Sequence, residues 1–494
     1  MPGVSIQTAV RVGPSAATSV ETSQAFFVGK AARGPIGEAK LVTSLAEFEA
    51  IYGKYASYSY MHPTAETFFE EGGTRAYISR VVGSAATTGV RTLDTTAGAG
   101  GTNVMTVSAN GPGAWSADIT VQCVNPGTAT GTFIIKIFDG GELLYSTGNC
   151  TTVTQAVGRI NSSPTASKVV VAADLGAASN LVPHNDASAV ALSTGSDDES
   201  NVAVADYVTG LNLFLESFGT GVVACPESSH TTVQSGLANH ANSYNRVAFL
   251  FGAFDDTIAE AKTAGQTLAA ADLHAEHVAY FYPWVYAPTS TAGVNRLIPP
   301  VGYAAAKRAV AHTQVGSHKP GAGLISVASF VNGVAIDIDK SNGDALDEAY
   351  VNAIRIINNT IRVYGARSVS PDATNFRYIT AQDVVNKVVV DANRSLEDLI
   401  FSVIDGRNTV FAAVESKLFA ILEPLRASGA LFEAFDTNGK RVDFGYSVKC
   451  DASINPTSQL ADGLVKAKVG VRVSSVGDKI EVDIVKSNLT KSVV

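Results

Sequence analysis

Chemistry in a protein needs side chains of the right kind brought together, and this chain offers few candidates. His274 and His277 stand three apart around Ala275-Glu276, and His312 and His318 lie near Lys319. Neither pair is framed by H-E-x-x-H or supplied with a third ligand at metal spacing, so both read as core or surface histidines. Asp337 and Asp339 alternate with Ile336 and Ile338; that places them on the wet face of a strand, not in an acid–base dyad. Asp255-Asp256 precede a helical stretch and read as a cap and a partner of its dipole. No P-loop occurs, and Gly98-Ala99-Gly100-Gly101 does not stand between a strand and a helix, so phosphate cradling is not indicated. G-x-S-x-G and S-x-x-K are also absent. The four cysteines, Cys123, Cys150, Cys225 and Cys450, form no C-x-x-C pair and no zinc spacing with histidine. They read either as inert thiols or as disulfide formers, within the Cys123/Cys150 region or between subunits. The expectation is a protein with no catalytic residue, no metal and no cofactor: not an enzyme.

The elements that would have positioned a site are nonetheless plentiful. At 494 residues the chain calls for two to four domains. Its hydrophobic fraction is 46% and its charged fraction 16%, below the ~25% usual for soluble proteins. A weakly charged surface suits a protein that buries its exterior in contacts. Net charge is −9 with no Lys/Arg run, so a nucleic-acid footprint is missing. The first residues lack the basic and apolar regions of a signal peptide. The strongest apolar runs, 247–254 and 278–286, fall well short of the ~20 residues that span a bilayer. These features read as a cytosolic product with no membrane insertion.

Along the chain, residues 1–12 read as an extended arm and 13–19 as a linker. An apolar strand at 25–29, helices opening at Ser44 and Pro63, and a strand at 76–82 suggest an α/β layer. From about 84 to 200 the composition turns to Gly, Thr, Ser and Val, with short strands and a turn at Asp139-Gly140-Gly141-Glu142, which reads as a mostly-β insert. Alternating helices and strands return from about 206. A helix is expected over 347–359 and a strand over 362–364. A further helix is expected to be capped by Thr380 with Asp383, and another begins after Asn408. The chain closes on two alternating runs, Val469-Val471-Val473 and Ile480-Val482-Ile484, with 474–478 as the turn between them. The opposite end carries the same alternation at Val4, Ile6 and Val10. A strand at each free end can pair with a neighbour's sheet edge. The fold class is thus multidomain, α/β and α+β: an α/β core and a C-terminal α/β sandwich with strand-forming terminal arms, plus a mostly-β inserted domain.

Several segments carry a family likeness. They are Phe27-Val28-Gly29-Lys30-Ala31-Ala32-Arg33-Gly34-Pro35-Ile36-Gly37, Phe68-Phe69-Glu70-Glu71-Gly72-Gly73-Thr74-Arg75-Ala76-Tyr77, Tyr282-Pro283-Trp284, Ile298-Pro299-Pro300-Val301-Gly302-Tyr303, His318-Lys319-Pro320-Gly321-Ala322-Gly323, Val363-Tyr364-Gly365-Ala366-Arg367-Ser368 and Cys450-Asp451-Ala452-Ser453-Ile454-Asn455-Pro456. In their order the chain resembles the contractile tail sheath proteins of bacteriophages and related injection systems over about three-quarters of its length; residues 84–200 fall outside the likeness. The resemblance implies a helical homopolymer around an inner tail tube, bounded by baseplate and tail terminator proteins, assembled in the host cytoplasm and carried in the virion tail. It implies the divisions 1–19 N-terminal arm and linker, 20–83 and 201–360 core, 84–200 outer insert, 361–475 tube-facing C-terminal domain and 476–494 C-terminal arm. Val4, Ile6 and Val10 would be N-arm contacts and Ile480, Val482 and Ile484 C-arm contacts. Glu415 and Lys417 on the helix after Asn408 are the tube-facing candidates. A non-contractile surface or adhesive protein, binding a ligand through the insert, is the competing reading.

Overall fold

The computed structural model describes residues 21–478, apart from 97–99, 127–130, 179–180, 290 and 292. The six arm residues Val4, Ile6, Val10, Ile480, Val482 and Ile484 lie outside them. In chain order the first elements are β1 (Ala25–Gly29), β2 (Ala39–Val42), α1 (Leu45–Tyr52), α2 (Met61–Glu70) and β3 (Ala76–Arg80). A second group follows: β4 (Val90–Asp94), β5 (Asn103–Ala109), β6 (Ile119–Val124), β7 (Ile134–Asp139), β8 (Glu142–Ser146), α3 (Val153–Ser162), β9 (Val170–Asp174) and β10 (Val190–Ala191). The chain then runs through α4 (Val204–Leu211), β11 (Val222–Ala224), α5 (Thr231–Ser243), β12 (Val247–Phe251), α6 (Ile258–Ala271), β13 (Val278–Tyr282), β14 (Val285–Pro288), β15 (Asn295–Ile298), α7 (Val301–Gln314), β16 (Gly333–Val334), α8 (Lys340–Glu348), β17 (Val351–Ile357) and β18 (Thr360–Val363). Last come α9 (Ile379–Leu396), α10 (Thr409–Ala427), β19 (Ala434–Phe435), β20 (Arg441–Asp443), β21 (Tyr446–Lys449), α11 (Thr457–Ala461) and β22 (Lys468–Val471).

Among the described residues the largest sheet has eight strands in the order β18-β17-β13-β12-β11-β1-β3-β2. Its interior pairs are parallel, and only the edge strands β2 and β18 run antiparallel. Interior strands such as β1, Ala-Phe-Phe-Val-Gly, are buried on both faces, as a parallel sheet covered by helices requires. Alternate residues divide between two cores. Ala25 and Phe27 join α1, α2 and α7 on one face, while Phe26 and Val28 join α4, α5 and α6 on the other. Residues 84–200 hold a three-stranded sheet, β4-β5-β9, and a four-stranded one, β10-β6-β7-β8. Both close over a single apolar core with α3, centred on Phe133, Ile135 and Ile160.

Five sequence expectations are corrected. Residues 351–357 form a strand, not a helix: β17 pairs with β13 and turns back into β18 through Asn358 and Asn359, both at positive φ (50° and 58°). That left-handed pair is what a two-residue hairpin turn demands, and the β-branched Val351, Ile354, Ile356 and Ile357 suit the strand. Asp383 caps nothing. Tyr378 precedes α9 without a side-chain cap, and Asp383 instead meets Arg308 in the interior. Asp339 caps α8, accepting from Asn342 N at 2.7 Å, instead of lining a strand, and α6 is capped by Thr257 and Glu260, not by Asp255-Asp256. Finally, residues 474–478 make no tight turn; they run on beside 373–378.

A candidate assembly surface on the C-terminal module

Helices α9 and α10 pack through Val384 and Val388 against Leu422, Leu425 and Leu431, and Tyr446, Val448, Val471 and Val473 lean on this core. A second small cluster joins Phe411, Val414, Leu418 and Cys450. The sheet on top is thin. β22 pairs antiparallel with β21, and the chain continues past it into a bridge between Leu431 and Val473. The direction of the hydrogen bonds decides which side is used. Arg472 N donates to Gly445 O (2.7 Å), Phe432 N donates to Arg472 O (2.8 Å), and Ser474 N donates to Ala430 O (2.9 Å). In an extended strand successive residues turn their N–H and C=O to opposite sides. Gly470, Arg472 and Ser474 therefore spend their backbone groups inside the module. Val469, Val471 and Val473 present theirs to the other edge, where no strand lies among the described residues.

That edge borders a groove of about 980 Å³ lined by residues 373–378 on one wall and 471–478 on the other, with Thr380, Ala381 and Val385 at its base. Asp478 closes one end: its carboxylate accepts from Tyr378 Oη (2.7 Å) and Arg377 Nη2 (3.0 Å). The rest of the module leaves much apolar surface in water. Phe401, Phe419, Phe432, Phe435 and Phe444 are all exposed, Phe401 completely; elsewhere among the described residues only Phe254 is comparable. Tyr446 lies 6.0 Å from Phe419 and 6.1 Å from Phe444, and Arg441 stacks 4.3 Å from the Phe444 ring. Beside them Arg426 bridges Glu423 and Glu433, and Arg441 also reaches Glu433. Hydrogen bonds from Arg426 and Tyr446 hold the Glu423 carboxyl down at about 2.

The side chains singled out in the sequence are placed as follows. Glu415 accepts from Cys450 N at 2.8 Å, and Lys417 donates to Ser395 O (2.6 Å) and Asp398 (3.0 Å); both bind within the module. Both are half-exposed, and the most exposed face of α10 runs through Ala412, Ser416, Phe419, Glu423 and Ala427. All four cysteines are buried and unpaired. Burial pushes the Cys123 thiol up to about 12 and raises those of Cys225 and Cys450, so none is a reactive surface thiolate. His277 is buried, with Nδ1 2.8 Å from Arg246 O and Nε2 3.1 Å from Gln382. Among the described residues no group of three His, Cys, Asp or Glu is placed to hold a metal ion, and no helix is long and apolar enough to cross a membrane.

An open α/β sheet binds ligands at the carboxyl ends of its strands, where the strand order reverses. Here that point lies between β1 and β11, and the chain fills it itself. Glu227, just beyond β11, accepts from Ser59 Oγ (2.7 Å), Tyr60 N (3.0 Å) and Met61 N (3.1 Å). The carboxylate thus sits at the N-terminus of α2, where an anionic ligand would dock. Burial pushes it up to about 7 against the pull of Ser59, Lys30 and the two amides. Sequence reasoning missed Glu227 because a lone glutamate in a Pro-Glu-Ser-Ser loop carries no motif.

No protein-family model matches the chain, and no curated protein matches it either. Solved structures do. The sheath tail protein Lin1278 from Listeria innocua is 13% identical with a TM-score of 0.61, over 89% of this chain and 91% of that one. The anti-feeding prophage helical sheath in its contracted state is 13% identical with a TM-score of 0.57, over 98% and 99%. The sheath tail protein from Desulfitobacterium hafniense is 16% identical with a TM-score of 0.55, over 91% and 94%. The chain has the fold of the tail sheath proteins of phage-like contractile injection systems.

Proposed function

We propose that this chain is the structural subunit of a contractile tail sheath. It polymerises helically around an inner tube when the terminal arms of one copy add strands to the module of another, and it shortens to drive the tube through a bacterial envelope. The observation that carries the reading is the edge of Val469, Val471 and Val473, which pairs with no strand among the described residues, beside a groove of about 980 Å³. Strand addition needs an open edge for affinity and room for alternate side chains for specificity. The alternation of Val4, Ile6 and Val10, and of Ile480, Val482 and Ile484, supplies strands of that kind. A contact between a terminus and a site elsewhere on the next copy is heterologous, and where its rotation does not close into a ring it propagates as a helix.

On this reading residues 1–19 and 476–494 are the arms, 20–83 and 201–360 the core, 84–200 an outward insert, and 361–475 the module that faces the tube. Partners are further copies, the tube protein, and baseplate and terminator proteins; the place is the virion tail, after assembly in the host cytoplasm. The crevice filled by Glu227 supports a structural role over an enzymatic one. Deleting residues 1–12 tests the proposal: the subunit stays folded and stops forming tubes in electron micrographs. A truncated chain that polymerises like the full one overturns strand addition by the N-terminal arm.

A further inference from the structure

Both ends of the described chain are fastened, but differently. At the C-terminal end Asp478 is held by Arg377 and Tyr378 at the surface. At the N-terminal end Thr22 runs into a buried cluster. Arg308 of α7 donates from Nη1 to Thr22 O (2.8 Å), while its Nε and Nη2 grip both carboxylate oxygens of Asp383 on α9 (3.1 and 2.5 Å). His312, one turn along α7, contacts Thr22 Oγ1 (3.1 Å) and lies 3.5 Å from Asp383. The side chains of Arg308 and Asp383 are 4% and 1% exposed. Burial opposes the charge on Asp383, yet Arg308 and His312 hold its carboxyl below the usual range.

Helix α9 is shared between two bodies. One face plugs into the large domain through Gln382, Asp383 and Asn386, the last donating to Arg246 O at 3.1 Å. Its Val384 and Val388 belong to the module core that includes Val471 and Val473, on the groove wall. The cluster is therefore continuous from the root of the N-terminal segment, through α7, to the helix that carries the groove. An apolar contact is non-directional, whereas a two-pronged Arg–carboxylate bond fixes geometry.

We propose that Thr22, Arg308, His312 and Asp383 form the joint through which tension on a subunit's own N-terminal arm reaches the groove that receives a neighbour's strand. This rests on the sheath reading above. In a polymer linked arm to groove, the joint makes each subunit a fixed-length link, so displacement passes along the helix instead of being absorbed at the arm root.

The test compares three full-length chains: wild type, Asp383→Asn, and a chain with four Gly/Ser residues inserted between Val20 and Glu21, which keeps the Ser23–Glu21 hydrogen bonds. The insertion leaves every joint residue in place and adds only slack. Thermal unfolding reads the fold, a synthetic peptide of residues 1–20 reads the groove, and electron microscopy reads polymer length and helical order. Wild type should bind the peptide and form ordered tubes. Both variants should bind it within about threefold of wild type, while ordered tube length falls by about tenfold or more. Ordered tubes of wild-type length from the insertion chain overturn the joint, as do such tubes from folded Asp383→Asn; if Asp383→Asn does not fold, the insertion chain alone decides. Wild type that neither polymerises nor binds the peptide overturns the sheath reading and the joint with it.

Discussion

The large sheet and the C-terminal module treat their polar groups in opposite ways. In the body around the sheet, crevices are filled from within. Glu71, at the end of α2, meets Lys307 Nζ at 2.6 Å and accepts from the amides of Ser329, Phe330 and Val331 at 2.7–3.2 Å. Arg246 is fully buried without a carboxylate; it donates to the carbonyls of Phe214, Leu215 and Gly219 and stacks 3.8 Å from the Phe26 ring. Glu227 fills the ligand crevice. The module leaves an edge, a groove and five phenylalanines open. In the body these three buried charges are each answered by groups of the chain itself, although single atoms such as Thr64 Oγ1 and Tyr280 Oη have no hydrogen-bond partner among the described residues. A strand edge with no neighbour among the described residues, set beside exposed aromatics, is the kind of surface that another strand covers.

If that contrast is right, disrupting the body should cost stability and disrupting the module should cost assembly. The largest effect falls on Glu71→Ala. It leaves Lys307 buried without a counter-ion and three amides without an acceptor, and should destabilise by about 3–5 kcal/mol in chemical denaturation. Glu227→Gln is next and depends on pH. The carboxyl stays protonated in the folded chain up to about 7, while its ordinary value is 4.5. Between those values the unfolded chain binds fewer protons, so wild-type stability falls as pH rises and is lowest above 7. The variant should lose that slope and gain on the order of 2–3 kcal/mol relative to wild type at pH 8 compared with pH 4. Equal pH slopes in the two proteins would remove Glu227 from the account.

Val471→Pro sharpens the comparison. The Val471 N–H points away from β21, so proline breaks no bond inside the module and should cost about 1 kcal/mol or less. It should nevertheless weaken binding of a peptide of residues 1–20 by about tenfold or more. Gly470→Pro, one residue away, removes an internal ladder bond and should act mainly on stability. The smallest effect is expected at Phe401→Ser. This side chain is wholly exposed, and the melting temperature should move within about 0.5 kcal/mol equivalent.

The parts legible in the sequence are those where pattern and burial coincide. Apolar runs mark β1, β12 and β13, and alternation marks β22; the likeness to sheath proteins is matched by the fold. The failures share one cause: a local pattern overridden by a distant partner. Thr380 and Asp383 have the spacing of a capping box, but Arg308, 75 residues away in the chain, takes the carboxylate. Residues 347–359 have helical spacing, but β13 offers an edge, and Asn358-Asn359 is the turn that settles it. Residues 474–478 read as a turn after Val469–Val473; in the fold they run on beside 373–378, and β22 pairs with β21, the strand before it. Glu415 and Lys417 stay half-exposed on α10 while bonding to Cys450 and Ser395 within the module, contacts that helical spacing alone does not reveal. Such contacts are fixed by packing between elements, and a single sequence does not encode them in its spacing.

The central claim is that one edge of one strand is completed by another copy. Residue-resolved amide hydrogen exchange across 468–474 tests it most directly, comparing the dispersed subunit with assembled tubes. Strand addition predicts that Gly470, Arg472 and Ser474 are protected in both states, and that Val469, Val471 and Val473 gain protection only on assembly. Val469, Val471 and Val473 amides that exchange at the same rate in tubes as in the dispersed subunit would contradict it.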